Sequence, residues 1–388
     1  MEEISLEDLR QDIDGIDDQL TALFARRMEL AAQVARVKQR GSGPVLQRGR
    51  EEAILARLAA QADPRWQPAL RQLYATIFGL SRAHQRALLA DAATPLRTEL
   101  AAANARGAQG LPQEATVACQ GITGAYSHLA AGRLFRTPQV VFLRSFEAVF
   151  RAVERGLCPY GVLPIENSSF GSVTRVYDLL KLHDCRIVRS LRMPIDHCLL
   201  SQATSLKQVR EIFSHEQAFG QCSGFLAAHS NITVTVCENT AVAARMAAQA
   251  GREDTAAISS EECAALYGLH ILRKRLQNEE HNETRFICIA PQAIITPGAN
   301  RCSVLLSLPH HSGSLSALLQ LPACLGVNLT KLETRPVPGK EFEFLFYLDF
   351  EVDASQPAAA DFLEQMQELS EEFTFLGSYK EELPGADG

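Results

Sequence analysis

No stretch of this chain is apolar and long enough to cross a membrane, and its opening residues, MEEISLEDLR, lack the basic-then-apolar run of an export signal. No membrane partner is expected, and the cytoplasm is the expected compartment. Positive charge is also scarce. A net charge of −7 argues against nucleic acid and anionic surfaces as partners, which leaves small molecules. No cysteine precedes Cys119, and the ten present form no C-x-x-C pair and keep no metal-ligand spacing with histidine, so reduced, buried thiols are expected and no metal. His310 and His311 are neighbours but read as a solvated loop. A G-x-G-x-x-G fingerprint is missing too, because GITG (121 to 124) lacks its spacing, and this argues against a bound dinucleotide.

What is present divides the 388 residues into units. From Ile4 to about Arg40, apolar residues recur at helical spacing (Leu9, Ile13, Ile16, Leu20, Leu23, Phe24, Leu30, Val34, Val37), with Gly15 as the interruption. After GSGP (41 to 44), two shorter helices are expected over Arg50 to Leu58 and Pro68 to Leu89. One helix of about 37 residues, ~55 Å long, outruns such partners, so an all-α unit at 1–92 is expected to bury its surplus in an intertwined homodimer. Residues 93–114, rich in Ala, Gly and polar side chains, read as a linker. Over 115–292, short apolar strands (TVACQG, QVVFL, YGVLPI, RIVRSL, HCLLS, TVTVC, TAAIS, RFICIA) alternate with helices, which is α/β organisation. Residues 300–383 read strand, helix, strand, strand, helix, strand, the ferredoxin-like βαββαβ split.

Three cations stand out on the long helix. Arg27 and Lys38 are eleven residues apart, ~20° around the axis and ~16 Å along it, so long side chains can close on one small molecule. Arg10 lies ~25 Å from Arg27 and ~100° round, so a shared site would take Arg10 from a second copy. The segments LR (9 to 10), ARRMELAAQVARVK (25 to 38), PVLQRGREEAILARL (44 to 58) and SRAHQ (81 to 85) resemble the all-helical chorismate mutase family. The resemblance implies that Arg10 of a partner and Arg27 hold the substrate carboxylates and that Lys38 and Gln85 face the ether oxygen. It places Glu51 at the ring hydroxyl, with Arg50 and Ser81 completing the shell. Gln47 stands where many relatives have aspartate. The physics agrees, because a pericyclic rearrangement needs confinement of a dicarboxylate and cations where negative charge grows, and no acid or nucleophile.

In the middle unit, GAYSHLAA (124 to 131), PIENSSFGSV (164 to 173) and IFSHEQAFGQC (212 to 222) each end a strand and open a loop or helix, where α/β sheets bind ligands. With ENTAVAA (238 to 244) and NETRF (282 to 286), they resemble prephenate dehydratase. The resemblance implies two lobes like those of type 2 periplasmic binding proteins, closing over prephenate. It makes Thr284 the catalytic donor, since hydroxide is a poor leaving group and needs a proton or strong hydrogen bond as its C–O bond breaks. Arg285 would hold a carboxylate or brace the cleft. Ser127, Glu166, Asn167, Ser168, Ser214, Gln221 and Thr240 belong by resemblance to the same site, with His215 orienting its loop. Aromatisation drives the reaction, so no cofactor is expected. Arogenate, the aminated analogue, is an alternative substrate, and a non-catalytic small-molecule sensor is an alternative role for the lobes.

GSLSALL (313 to 319) and VNLTKLETRP (327 to 336) resemble the ACT regulatory domain of phenylalanine-sensitive dehydratases. The effector residues implied are Gly313, Ser314, Leu315, Asn328, Leu329 and Glu333, with phenylalanine held between two such domains.

Overall fold

The computed structural model describes residues 5–41, 47–88, 94–279, 281–311, 313–337 and 343–384. The break expected at GSGP therefore lies, beyond Gly41, outside the described residues, as do Leu89 and the first residue of the expected linker.

Helix α1 (Leu6–Gly41) starts at a reciprocal cap: the Ser5 hydroxyl accepts from the Asp8 N–H, and the Asp8 carboxylate accepts from the Ser5 N–H. Gly15 does not stop it. Helices α2 (Arg48–Gln61) and α3 (Gln67–Leu88) complete the first unit, with α3 packed on both. They leave the stripe at Leu9, Ile13, Ile16, Leu20 and Leu23 uncovered, and Leu23 is 62% exposed.

The segment read as a linker is structured. Helix α4 (Pro95–Gly107) is capped by Thr94, whose hydroxyl accepts from the Arg97 N–H, and it buries Leu96, Leu100 and Ala103 in the last unit's core. These three positions keep i, i+4, i+7 spacing, which the surrounding alanines conceal in the sequence. At Gly107 a Cβ would lie 2.0 Å from the Ile295 carbonyl, so only glycine allows this approach.

The middle unit has two lobes. The first contains β1 (Glu114–Gln120), α5 (Tyr126–Leu134), β2 (Thr137–Leu143), α6 (Phe146–Glu154), β3 (Tyr160–Asn167), β4 (Gly171–Ser172), α7 (Thr174–Leu182) and β5 (Arg186–Pro194). The second contains β6 (Cys198–Ser201), β7 (Glu211–Ser214), α8 (Glu216–Gln221), α9 (Ser223–Ala227), β8 (Thr233–Val236), α10 (Thr240–Gln249), β9 (Thr255–Ser259), α11 (Glu262–Tyr267) and β10 (His270–Arg273), with sheet order β10-β6-β9-β7-β8. The chain then returns, and β11 (Glu283–Ala290) enters the first sheet antiparallel to both β5 and β3. The two crossings are laced together, since the Ile195 N–H donates to the Asn282 carbonyl (2.8 Å) and the Leu276 N–H to the His197 carbonyl (2.9 Å). They form the hinge.

The last unit is β12 (Arg301–Ser307), α12 (Ser314–Cys324), β13 (Asn328–Pro336), β14 (Phe344–Glu351), α13 (Pro357–Leu369) and β15 (Phe373–Tyr379), an antiparallel sheet ordered β13-β14-β12-β15. The βαββαβ order is as the sequence predicts. One strand departs from it. Strand β16 (Glu381–Glu382) leaves this unit and pairs parallel to β5 at the edge of the first lobe's sheet. Leu305, Leu345, Tyr347, Leu376 and Tyr379 share one core with Leu163, Ile187 and Ile287 of that lobe. Among the described residues, no helix is long and apolar enough to cross a membrane, and no group of His, Cys, Asp or Glu is placed to hold a metal.

Candidate active sites

Between the lobes lies a cavity of about 400 Å³. Its placement follows from strand periodicity. Alternate side chains of β11 point to opposite faces, so Thr284 and Phe286 line the cavity while Arg285 points away from it. On β3, Pro164 and Asn167 both line it although they are three apart, because the ladder shifts by one residue opposite Arg285 and Phe286. Thr284 is 8% exposed, and its Oγ1 accepts from Asn167 Nδ2 at 3.0 Å.

The polarity of this contact is fixed by backbone groups. The N–H groups of Ser169 and Phe170 both donate to Asn167 Oδ1 (3.0 Å each), so Nδ2 is the amide's donating end. Nδ2 also donates to Asn282 Oδ1 (2.8 Å), which accepts as well from Gln221 Nε2 (3.4 Å). Gln221 Oε1 is then the acceptor for His197 Nε2–H at 2.6 Å. Asn167 Nδ2 shares its two hydrogens among Asn282 Oδ1, the Glu283 carbonyl (3.1 Å) and Thr284 Oγ1, and the Thr284 hydroxyl keeps its own O–H to donate.

Among the described residues, neither lysine nor arginine lines the cavity, and Glu238 is its one carboxylate. Helix N-termini stand there instead. Ser127 lies in the first turn of α5 and Thr240 opens α10 behind its cap Asn239, while His215 caps α8 through Nδ1, which accepts from the Gln217 N–H. Unpaired first-turn N–H groups and helix dipoles favour an anion here. Ser127, Asn167, Gln221, Thr240 and Thr284 are thus brought together as the sequence predicts, with His215 in its orienting role. His197, Asn282, Tyr126 and Glu238 were not foreseen. His197 sits where β5 ends and Asn282 is the first letter of NETRF itself, so position at a strand end was the available signal.

Four other expected residues do not line the cavity. Arg285, 5% exposed, donates to Asp349 Oδ2 (2.5 Å), the Tyr379 hydroxyl (2.7 Å) and Ser190 Oγ, and pairs with Glu381 (3.0 Å) and Glu166 (3.5 Å). Burial works against its charge, but Asp349, Tyr379, Glu381 and Glu166 outweigh that and hold its pKa well above the ordinary value. Of the two roles left open for Arg285, bracing is the one this geometry fits. Glu166 faces the same way, pairing with Lys331 of β13 at 2.9 Å. Ser168 ties strand ends, accepting from the Glu283 N–H, and Ser214 is wholly buried, donating to the Ile258 carbonyl.

In the helical unit, Arg27 lies over the Phe78 ring (5.5 Å), and Ser81 and Gln85 are buried one turn apart on α3. Burial lowers the Lys38 pKa, with Glu51 acting in the opposite sense. Glu51 is itself paired with Arg82 (2.5 Å), a contact the sequence did not suggest. Arg27 Nη1 and Gln85 Oε1 are buried polar atoms without a partner, which suits a site shaped for a polar ligand. Arg10 and Arg50 are exposed, Arg10 beside Glu7, and Gln47 caps α2 without a side-chain bond. Lys38 and Glu51 are thus coupled and Gln85 bonds Ser81 (3.4 Å), while Arg10 lies apart, beside Glu7. The unit docks through α3, where Arg86 pairs with Glu364 (3.3 Å) and Glu368 of α13.

In the last unit, Gly313 caps α12 at φ +92°, with open space where a Cβ would stand, and Ser314 and Leu315 follow it. Asn328 bonds Glu351 and Leu329 packs on the core, both beyond the other end of α12. Eleven residues of helix separate the two groups by ~16 Å. Glu333 accepts from Ser172 of the first lobe and so faces that lobe.

A helical unit with a cationic, partly buried polar site, joined to a two-lobed α/β unit with a hinge cleft, defines a two-site enzyme for small anions. Family comparison makes this specific: residues 9–86 match the model for chorismate mutase type II, and residues 117–293 match that for prephenate dehydratase. The bifunctional chorismate mutase/prephenate dehydratase of Escherichia coli (strain K12) is 32% identical, over 96% of each chain. An arogenate dehydratase/prephenate dehydratase of Arabidopsis thaliana is 38% identical over 68% of this chain and 72% of its own. The structure of prephenate dehydratase from Arthrobacter aurescens in complex with L-Phe superposes with a TM-score of 0.63 at 27% identity, covering 68% of this chain and 89% of that one. The chain belongs to the bifunctional chorismate mutase/prephenate dehydratase family and carries both enzymatic domains of phenylalanine biosynthesis.

Proposed function

We propose that the two sites act in sequence, with phenylalanine as feedback inhibitor. In the helical site, Arg27 and a second copy's Arg10 hold the chorismate carboxylates, while Lys38 and Gln85 stabilise the ether oxygen as its bond breaks. The exposed stripe on α1 supports a homodimer, because a protomer alone lacks Arg10 at this site.

In the cleft, helix N-termini hold the two carboxylates of prephenate and Thr284 donates to the departing ring hydroxyl. The C–O bond breaks as the leaving hydroxide takes that proton to form water, solvent returns a proton to Thr284, the ring carboxylate leaves as carbon dioxide, and its bonding pair completes the aromatic ring of phenylpyruvate. The observation carrying this reading is the Thr284 hydroxyl, which accepts from Asn167 and keeps its own O–H to donate. Glu238 among the lining residues favours a second reading, in which the ammonium of arogenate is also accepted.

Because Gly313 and Asn328 stand at opposite ends of α12, phenylalanine binds between Gly313 to Leu315 of one copy and Asn328 to Leu329 of another. The signal to the cleft runs through Lys331, Glu166 and Arg285, which lie directly behind Asn167 and Thr284 in the ladder. The test is to supply chorismate, quench at intervals and quantify prephenate and phenylpyruvate with and without phenylalanine. Passage through prephenate to phenylpyruvate, slowed by phenylalanine, is expected. Prephenate alone would remove the cleft's assigned reaction, and an unchanged dehydratase rate at saturating phenylalanine would remove the sensor.

A further inference from the structure

We propose that His197 is a positioning residue for the dehydratase: its Nε2–H orients the Gln221 amide across the hinge, and so ties the second lobe to the Asn282, Asn167 and Thr284 contacts of the cleft. This rests on the reading of Thr284 given above. His197 is 2% exposed and lies on one hinge crossing, with its backbone held on both sides, the N–H by Gln277 Oε1 (3.0 Å) and the carbonyl by the Leu276 N–H. Its ring lies edge-on to Tyr126 of the first lobe, with 6.2 Å between ring centres. Gln221 belongs to that lobe, Asn282 to the other crossing, and Asn167 and Thr284 to the first lobe. The chain of contacts from His197 to Thr284 spans every part that moves when such a cleft closes.

The tautomer matters because the chain has one consistent polarity. Backbone N–H groups fix it at Asn167, and the far end is free unless something fixes it there too. With the proton on Nδ1 alone, bare Nε2 would face Gln221 Oε1 at 2.6 Å, two acceptors in contact. Turning the amide to relieve this would set its oxygen against Asn282 Oδ1. The Gln221–Asn282 link, at 3.4 Å the longest of the chain, is where the loss would fall. A neutral ring protonated on Nε2 satisfies every contact and leaves Nδ1 buried without a partner, which matches the structure. Burial also lowers the His197 pKa, against Gln221 and Asp196, and this favours the neutral ring.

The experiment uses the full-length enzyme and steady-state dehydratase kinetics on prephenate. His197→Leu removes the donor, and His197→Gln returns an amide N–H to roughly the same reach. Wild-type turnover is measured first, so that an inactive wild type counts against the cleft's assigned reaction and not against His197. Mutase rate and circular dichroism of each preparation report folding. For His197→Leu, kcat should fall about 30-fold or more with KM within about threefold, the signature of an interaction made in the transition state. His197→Gln should recover to within about fivefold of wild type. A His197→Leu rate within threefold of wild type, a loss carried by KM, or a His197→Gln variant as impaired as His197→Leu would each overturn the proposal.

Discussion

Replacing Arg285 by methionine separates a brace from a substrate ligand. The guanidinium is enclosed by Asp349, Glu381, Glu166 and Tyr379, and two of these carboxylates, Asp349 and Glu381, are themselves buried. Methionine fills much of the volume but takes from buried Asp349 its paired cation, while Glu381 keeps Arg301 and Arg192 and Glu166 keeps Lys331. Breaking a buried pair from one side costs about 3–5 kcal/mol. Units of this size lose about 2–4 °C of Tm per kcal/mol, so the transition of the fused dehydratase and last units should fall by roughly 10 °C. Scanning calorimetry reads it directly. Assayed well below that transition, KM for prephenate should stay within about threefold, because Arg285 does not line the cavity. An arginine clamping a substrate carboxylate would instead give a KM rise of about a hundredfold, or ~2.7 kcal/mol, with little change in Tm. That outcome would refute the assignment of faces on β11.

Thr284→Val should keep the fold and cut dehydratase kcat by about 10²–10⁴ while the mutase rate of the same sample is unchanged; a dehydratase loss under tenfold would remove Thr284 as the donor. Because the folded pKa of His197 lies below its ordinary value, the unfolded chain binds the extra proton. Its contribution to stability is thus complete above about pH 6.5 and is lost at ~1.4 kcal/mol per pH unit as pH falls towards the folded pKa, a slope that His197→Gln should abolish in denaturant titrations. Ile16→Asp, in the middle of the exposed α1 stripe, should give monomers by light scattering and abolish mutase activity, since each site would lose its partner's Arg10; a fully active monomer would refute the shared site.

Much of the fold was legible because the apolar spacing was strong: α1, the strands of both lobes other than β4 and β10, and the βαββαβ unit fall where the pattern puts them. Helix α4 was not, since its buried face consists of Leu96, Leu100 and Ala103 amid further alanines, and amphipathicity cannot show where both faces are small. Motifs located the cleft, but a motif is contiguous and a strand is two-faced. Glu166 and Asn167, like Arg285 and Thr284, are neighbours in sequence and stand on opposite faces of one sheet. Reading strict alternation from Thr284 would have assigned Arg285 to the far face. The bulge on β3 hid the partnership of Pro164 with Asn167. The His197 contacts depend on hinge segments of no regular period, and these carry no pattern to read.

Removing the last unit is an obvious route to escaping the feedback inhibition proposed above, and the shared core speaks against it. Cutting after β11 would strip Tyr347, Leu376 and Tyr379 from the hydrophobic cluster of the first lobe and take the edge strand β16 from its sheet. Arg285 would be left in water with only Glu166 and Ser190 beside it, and Gly377, whose missing side chain lets its strand pass within 2.0 Å of where a Cβ would meet the Ile187 carbonyl, would no longer press on β5. The last unit is thus also part of the wall behind β11. For the phenylalanine sensing proposed above, insensitivity is therefore better sought at Leu315, exposed on α12, than at Gly313, whose φ of +92° strains any side chain.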